Sequence, residues 1–71
     1  MKLKYVMLNT INGEIPVLFP MALQHIQFKD FRPISAGFVN LDTFETFGNS
    51  VGLNLKPRPE DAVILKVFLT M

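Results

Sequence analysis

The sequence predicts a small α+β domain: a twisted antiparallel sheet of four to five strands with one short C-terminal helix. Short apolar segments recur between turn signals, which is the pattern of several short strands. A helix start follows them at Pro59-Glu60-Asp61. Strands followed by a helix is the element order of the α+β class. With 71 residues, the chain forms a single domain over residues 1–71.

The N-terminal segment predicts a β-hairpin. Lys2 to Thr10 begins with period-two alternation, and Glu14 to Phe19 is the returning strand. Asn12-Gly13 between them predicts a type I′ turn, in which both central residues take a positive φ. Pro16 has no N–H to donate to a ladder and therefore places the second strand at an edge or bulge.

The middle of the chain predicts further strands. After a short helical turn at Pro20 to Leu23, the alternation from Gln24 to Phe28 predicts a third strand. Ala36-Gly37 suits a bulge or a close approach of backbone within the next strand. The remaining strand predictions are Ile34 to Asp42, Phe44 to Phe47, and Val51 to Leu55 as either a strand or an extended loop.

The last segment combines helical and strand patterns. Pro59 suits the first helical position, and Glu60 and Asp61 suit the positive end of a helix dipole. From Ala62 to Met71, apolar residues fit either a helical stripe or one face of a strand. The start signals favour the helix.

Composition points to an interaction protein rather than an enzyme. Apolar residues make up 49% and charged residues 18% of the chain, against typical values of about 45–50% and 25%. This depletion of charge implies a dense core or an apolar surface that meets a partner. The leading hypothesis is a non-enzymatic interaction module that binds a protein partner or forms a homo-oligomer.

Charge and cysteine content exclude several other classes. The net charge is +1 and the cations are scattered, whereas autonomous nucleic-acid binding needs a basic face. Cysteine is absent, so disulfides and thiolate chemistry play no part. No apolar run approaches the ~18 residues of a membrane span. We therefore expect a cytoplasmic protein without a membrane segment, a cofactor or a metal.

His25, the only histidine, is the main candidate for chemistry. A hydrolytic role with Ser35 would need a nucleophile and an orienting carboxylate nearby, and no spacing links such residues. We expect a half-buried strand histidine that bonds a backbone carbonyl, and no catalytic residue.

The segment Lys56 to Asp61 offers an alternative function. Lys56 and Arg58 flank Pro57 just before the predicted helix start, where free N–H groups favour an anion. With Ser50 they could form a small-anion or phosphate-ligand site. The competing interpretation pairs these cations with Glu60, Asp61 or solvent.

Two motifs carry a family resemblance. Two stretches of the chain resemble small proteins of bacteriophages and bacterial prophages. The first is Ile34-Ser35-Ala36-Gly37-Phe38-Val39. The second runs from Phe47 to Ala62 and contains Gly48, Ser50, Leu53, Leu55 and Arg58-Pro59-Glu60-Asp61. His25 sits where a histidine often precedes these motifs. The resemblance covers about the last two-thirds of the chain and implies a phage-linked origin without an assigned activity. In such proteins the final helix is polar, whereas Val63 to Leu69 is apolar here.

Overall fold

The computed structural model describes residues 1–71 and confirms the α+β class. Four antiparallel strands form one sheet in the order β2-β1-β3-β4, which is the lower end of the predicted range. A 3₁₀ helix separates β2 from β3, and one α-helix ends the chain. The elements are β1 (Lys2–Thr10), β2 (Gly13–Phe19), the 3₁₀ helix (His25–Phe31), β3 (Ser35–Asn40), β4 (Glu45–Phe47) and α1 (Pro59–Thr70).

The predicted first hairpin is present, but its turn differs from the predicted type I′. Thr10 pairs with Gly13, so the two loop residues are Ile11 and Asn12. Only Gly13 has a positive φ, of 103°, which is the pattern of an ordinary turn followed by a glycine bulge. The Thr10 hydroxyl fixes this turn, because it accepts from Asn12 N at 3.1 Å and donates to Gly13 O at 2.8 Å.

The predicted strand from Gln24 to Phe28 is wrong, because this segment is the 3₁₀ helix. A Pro20 turn, closed by Leu23 N donating to Pro20 O, ends just before it. Gln27 N then donates to Gln24 O, and the Gln27 side chain accepts from Gln24 N at 2.8 Å. These local hydrogen bonds start a helix. A repeat of three places His25 and Phe28 on the inner side.

The second half follows the prediction with shorter elements. β3 and β4 replace the longer strands predicted from Ile34 and Phe44. The stretch from Val51 to Leu55 is a loop, closed by paired backbone hydrogen bonds between Ser50 and Leu55. Gly37 explains the small residues in β3: a Cβ there would lie 2.5 Å from Pro57 Cγ. The last segment is helical up to Thr70.

The sheet has a different cover on each face. Alternate residues of a strand point to opposite faces, so Tyr5 and Met7 lie on one side of β1 and Val6 on the other. On the first side they pack with Val39 against Leu65 of α1. On the second side Val6 packs among Phe19, Ala36, Phe28 of the 3₁₀ helix, and Leu53 and Leu55 of the loop. The chain therefore forms three layers.

Both edges of the sheet are protected against pairing with another strand. Pro16 pairs with Met7, whose carbonyl accepts from Ile34 N on the opposite side of β1. The Pro16 nitrogen consequently faces the open edge of β2, where it offers no donor. At the other edge β4 has only three residues. Proline and short edge strands are both devices that prevent edge-to-edge association.

Candidate functional site

A buried polar network joins α1 to the sheet. The Asp61 side chain is 0% exposed, and its Oδ2 accepts from the Tyr5 hydroxyl at 2.7 Å and from Arg58 N at 3.0 Å. Its Oδ1 accepts from Arg58 Nε at 3.0 Å and from Arg58 Nη2 at 2.8 Å. Both carboxylate oxygens are thus fully used.

The guanidinium of Arg58 extends the network to β2. Its Nη2 donates to Glu14 Oε1 at 2.7 Å, and its Nη1 approaches Glu14 Oε2 at 3.4 Å. Glu60 lies farther away, with Oε2 at 3.9 Å from Nη1. Arg58 therefore contacts a residue 44 positions away in the sequence. This fork geometry suits arginine and not lysine.

The hydrogen bonds of the network shift the pKa values of its members. Burial tends to raise the pKa of Asp61, but hydrogen bonds from Arg58 N, Tyr5 and the Arg58 side chain, together with the nearby Ser35 hydroxyl, outweigh it and lower that pKa below its usual range. Burial and the bond to Asp61 raise the pKa of Tyr5. The Arg58 pKa is raised mainly by the bond to Glu14. At neutral pH the network holds a neutral phenol and a carboxylate–guanidinium pair.

Ser35 lies at the inner side of this network with an incomplete hydrogen bond. Its side chain is fully buried, and its proximity contributes to lowering the pKa of Asp61. Nevertheless, no partner meets ordinary hydrogen-bond geometry with its Oγ.

The network attaches α1 to the sheet. The Asp61 carboxylate reaches back to Arg58 N, which caps the first turn, and the same group holds Tyr5 of the central strand β1. Every oxygen of Asp61 already accepts hydrogen bonds. The pairing of Arg58 with Asp61, which was the competing interpretation of this segment, is present, whereas no sequence pattern linked Tyr5 or Glu14 to it.

Two of the three residues of the predicted anion site line one groove, and the third, Arg58, does not line it. Ser50 is buried, and its Oγ accepts from Leu53 N at 3.2 Å. Lys56 is exposed and shares with Ser50 a shallow groove of about 350 Å³. Arg58 is committed to Glu14 and Asp61, and the Asp61 carboxylate occupies the helix start that an anion would need. Anion binding by these residues stays a prediction.

His25 lies on the 3₁₀ helix rather than on a strand, and it is more deeply buried than predicted, at 6% exposure. Its Nε2 donates to Gly37 O at 2.8 Å, so the predicted bond to a backbone carbonyl is present. Its ring packs edge-on against Phe19 and Phe38. Ser35 lies on the opposite face of the sheet, so the two residues are not brought together.

The outer face of α1 is an uncovered apolar surface. Val63 is 65% and Val67 51% exposed, and Phe68 is also exposed. With Ile64 they line a groove of about 480 Å³, to which Glu14 and Glu60 contribute the polar side chains. These residues define the α1 groove: Glu14, Glu60, Val63, Ile64, Val67 and Phe68.

Comparison with protein-family models, with curated proteins and with solved structures found no match. None of the helices combines the length and the hydropathy needed to cross a membrane.

Proposed function

We propose that the chain is a non-enzymatic interaction module that binds a protein, or a second copy of itself, through the α1 groove. The observation that carries this proposal is the composition of α1. Its sequence from Ala62 to Leu69 contains one charged residue, Lys66, although only one side of the helix packs on the sheet. A helix that is apolar on all sides is normally covered on all sides.

The edges of the sheet support the choice of surface. Pro16 removes a hydrogen-bond donor from the open edge of β2, and β4 is too short to pair extensively with another strand. Both features disfavour a complex formed by extension of the sheet. The α1 groove, by contrast, presents neighbouring apolar side chains at helical spacing. An exposed apolar patch rimmed by polar groups is characteristic of an interaction site.

The biological context proposed for this module is a bacteriophage or prophage. That part rests on the resemblance of the two motifs around Ile34 and around Arg58. Both motifs contribute to the scaffold described above: Ser35 and Gly37 lie in β3, and Arg58 and Asp61 fasten α1. The motifs therefore support the surface that α1 presents without specifying its partner.

The test compares the unmodified protein with Val67→Lys and Ile11→Lys, each isolated gently from a bacterial lysate. Native mass spectrometry reads the mass of any complex. Ile11 is fully exposed in the hairpin turn, so Ile11→Lys is a matched control for an added lysine. We expect a discrete complex with the unmodified protein and the control, and its loss with Val67→Lys. A protein that is monomeric and unaccompanied in all three forms would contradict the proposal.

The alternative function, small-anion or phosphate binding through Ser50, Lys56 and Arg58, has narrower support. It rests on the groove that Ser50 and Lys56 share. Since Arg58 is neutralised by two carboxylates, Lys56 would supply the only free positive charge of the three. The interaction module is the better supported of the two functions.

A further inference from the structure

The two faces of the molecule carry complementary exposed surfaces, one of which is the α1 groove. At its end near the helix start the groove is lined by two carboxylates, Glu14 and Glu60, and Arg58 contacts both of them as well as the fully buried Asp61. Two negative charges remain after pairing. The helix dipole offsets about half a charge, so this apolar groove is acidic at one end.

The opposite face of the sheet carries a second exposed surface along the 3₁₀ helix, which we call the 3₁₀ patch. It consists of Met21, Leu23, Ile26, Lys29, Phe31 and Arg32. The apolar members are exposed, and Phe31 is 65% exposed. Lys29 and Arg32 are also exposed, and Asp30 is the only carboxylate between residues 21 and 32. With Asp30 counted, the segment of residues 21–32 carries a net charge of +1 beside its exposed apolar side chains.

From this complementarity we infer that the occupant of the α1 groove is the 3₁₀ patch of a second copy of the chain. This inference rests on the proposed function and names its partner. Phe31 supplies an aromatic anchor of the kind that interfaces favour, and Lys29 and Arg32 face the excess carboxylates. The two surfaces lie on opposite faces of one sheet, so copies associate head to tail and the contact repeats into a ring or a filament.

A symmetric contact between two α1 helices fits the charges less well. In a parallel arrangement the two acidic ends would meet, and like charges across an interface are unfavourable. In an antiparallel arrangement Glu60 would meet the C-terminal end of the partner helix. That end is the negative end of the dipole, and no basic residue lies in its last turn.

The test uses Val67→Lys in the α1 groove, Phe31→Gln in the 3₁₀ patch, and Ile11→Lys as the control. Sedimentation velocity over a concentration series measures association. Interfaces below the standard size are typical of weak complexes, so the series extends to high protein concentration. Circular dichroism checks that each variant is folded, and both substitutions are at exposed side chains.

We expect the unmodified protein and Ile11→Lys to associate with rising concentration, and each of the other two variants to stay monomeric. An equimolar mixture of Val67→Lys and Phe31→Gln should then form a one-to-one dimer and nothing larger, because one intact groove meets one intact patch. Added salt should weaken this dimer. Lys29→Glu is a second patch variant and should also prevent self-association.

Two outcomes overturn the inference and are distinguishable. If Phe31→Gln and Lys29→Glu associate normally while Val67→Lys does not, the contact is between α1 helices, and the proposed function stands without the 3₁₀ patch. If the unmodified protein is monomeric at every concentration, the second copy is not the occupant. The lysate comparison with Val67→Lys then decides the proposed function separately.

Discussion

Replacing Asp61 by asparagine tests the buried network most directly. The substitution keeps the shape of the side chain but leaves one acceptor oxygen where two oxygens serve four donors. If the remaining oxygen faces Tyr5 and Arg58 N, the new amide group faces the guanidinium. Arg58 then loses both bonds to residue 61 and keeps only Glu14.

The expected loss of unfolding free energy is about 2–3 kcal/mol. Hydrogen bonds to charged groups contribute about 1.5–3 kcal/mol each, and removing one partner of a buried ion pair costs about 3–5 kcal/mol. The lower figure applies because the Arg58 side chain is 26% exposed and retains Glu14. A domain of this size has a total stability of only about 4–11 kcal/mol, so the loss is large.

Urea unfolding followed by circular dichroism measures this loss. The same measurement on Tyr5→Phe and on the double variant completes a double-mutant cycle. Tyr5→Phe removes one bond to a charged acceptor and should cost about 1.5–3 kcal/mol. The two substitutions share a bond and should therefore be less than additive. A loss below about 1 kcal/mol for Asp61→Asn, or full additivity with Tyr5→Phe, would refute the view that this carboxylate fastens α1 to β1.

Four further outcomes follow from the same structure. Gly37→Ala should lower the unfolding free energy by about 1–3 kcal/mol, because the new Cβ would lie 2.5 Å from the rigid Pro57 ring. Thermal unfolding measures this change, and a variant with the same stability as the unmodified protein would contradict the close contact. The pKa of Asp61 in the folded protein lies below its ordinary 3.8. The stabilisation from Asp61 is therefore fully present above pH 3.8 and should be lost as the pH falls through the folded pKa. Urea unfolding at several pH values should show this loss in the unmodified protein and not in Asp61→Asn. The pKa of Tyr5 is raised instead, so stability should also decline as pH rises above its ordinary 10.0. Inorganic phosphate should leave the Arg58 Nε resonance unshifted, because two carboxylates already hold that guanidinium; a saturable shift at Arg58 and Lys56 would favour the anion site instead.

Local signals predicted much of the fold. The Asn12-Gly13 pair between alternating segments located the first hairpin, although Thr10 selects a different turn from the one predicted. Pro59 with Glu60 and Asp61 located the start of α1. Each of these features depends on residues within a few positions of one another, which is the range over which turn and capping chemistry acts.

The 3₁₀ helix was missed because a period of two and a period of three cannot be distinguished over five residues. Gln24, Ile26 and Phe28 alternate, but His25, Phe28 and Phe31 also recur every three positions. The contacts of the inner residues decide the outcome. In the helix His25 reaches Gly37 O, and the Phe28 ring lies 4.5 Å from the Phe19 ring; both partners are distant in sequence.

The links from Tyr5 and Glu14 to the network were missed for a related reason, although one signal pointed to Tyr5. Tyr5 is 56 positions from Asp61, and Glu14 is 44 positions from Arg58, so no local pattern connects them. However, Tyr5 is the only tyrosine, and it lies on the apolar inner face of a central strand. A buried phenol normally finds an acceptor, and the hairpin register places Glu14 on the same face as Tyr5.

The exposed apolar side chains of α1 account both for part of the high apolar content and for the ambiguity of the last segment. Val63, Leu65, Val67 and Leu69 alternate as in a strand, but Leu65 alone is fully buried in the core of the domain. The others remain apolar although the sheet does not need them. A segment that only had to pack on the sheet would carry polar residues at these positions. The proposed interaction through the α1 groove would account for these apolar side chains, and the mixing of Val67→Lys with Phe31→Gln tests whether the partner is another copy of the chain.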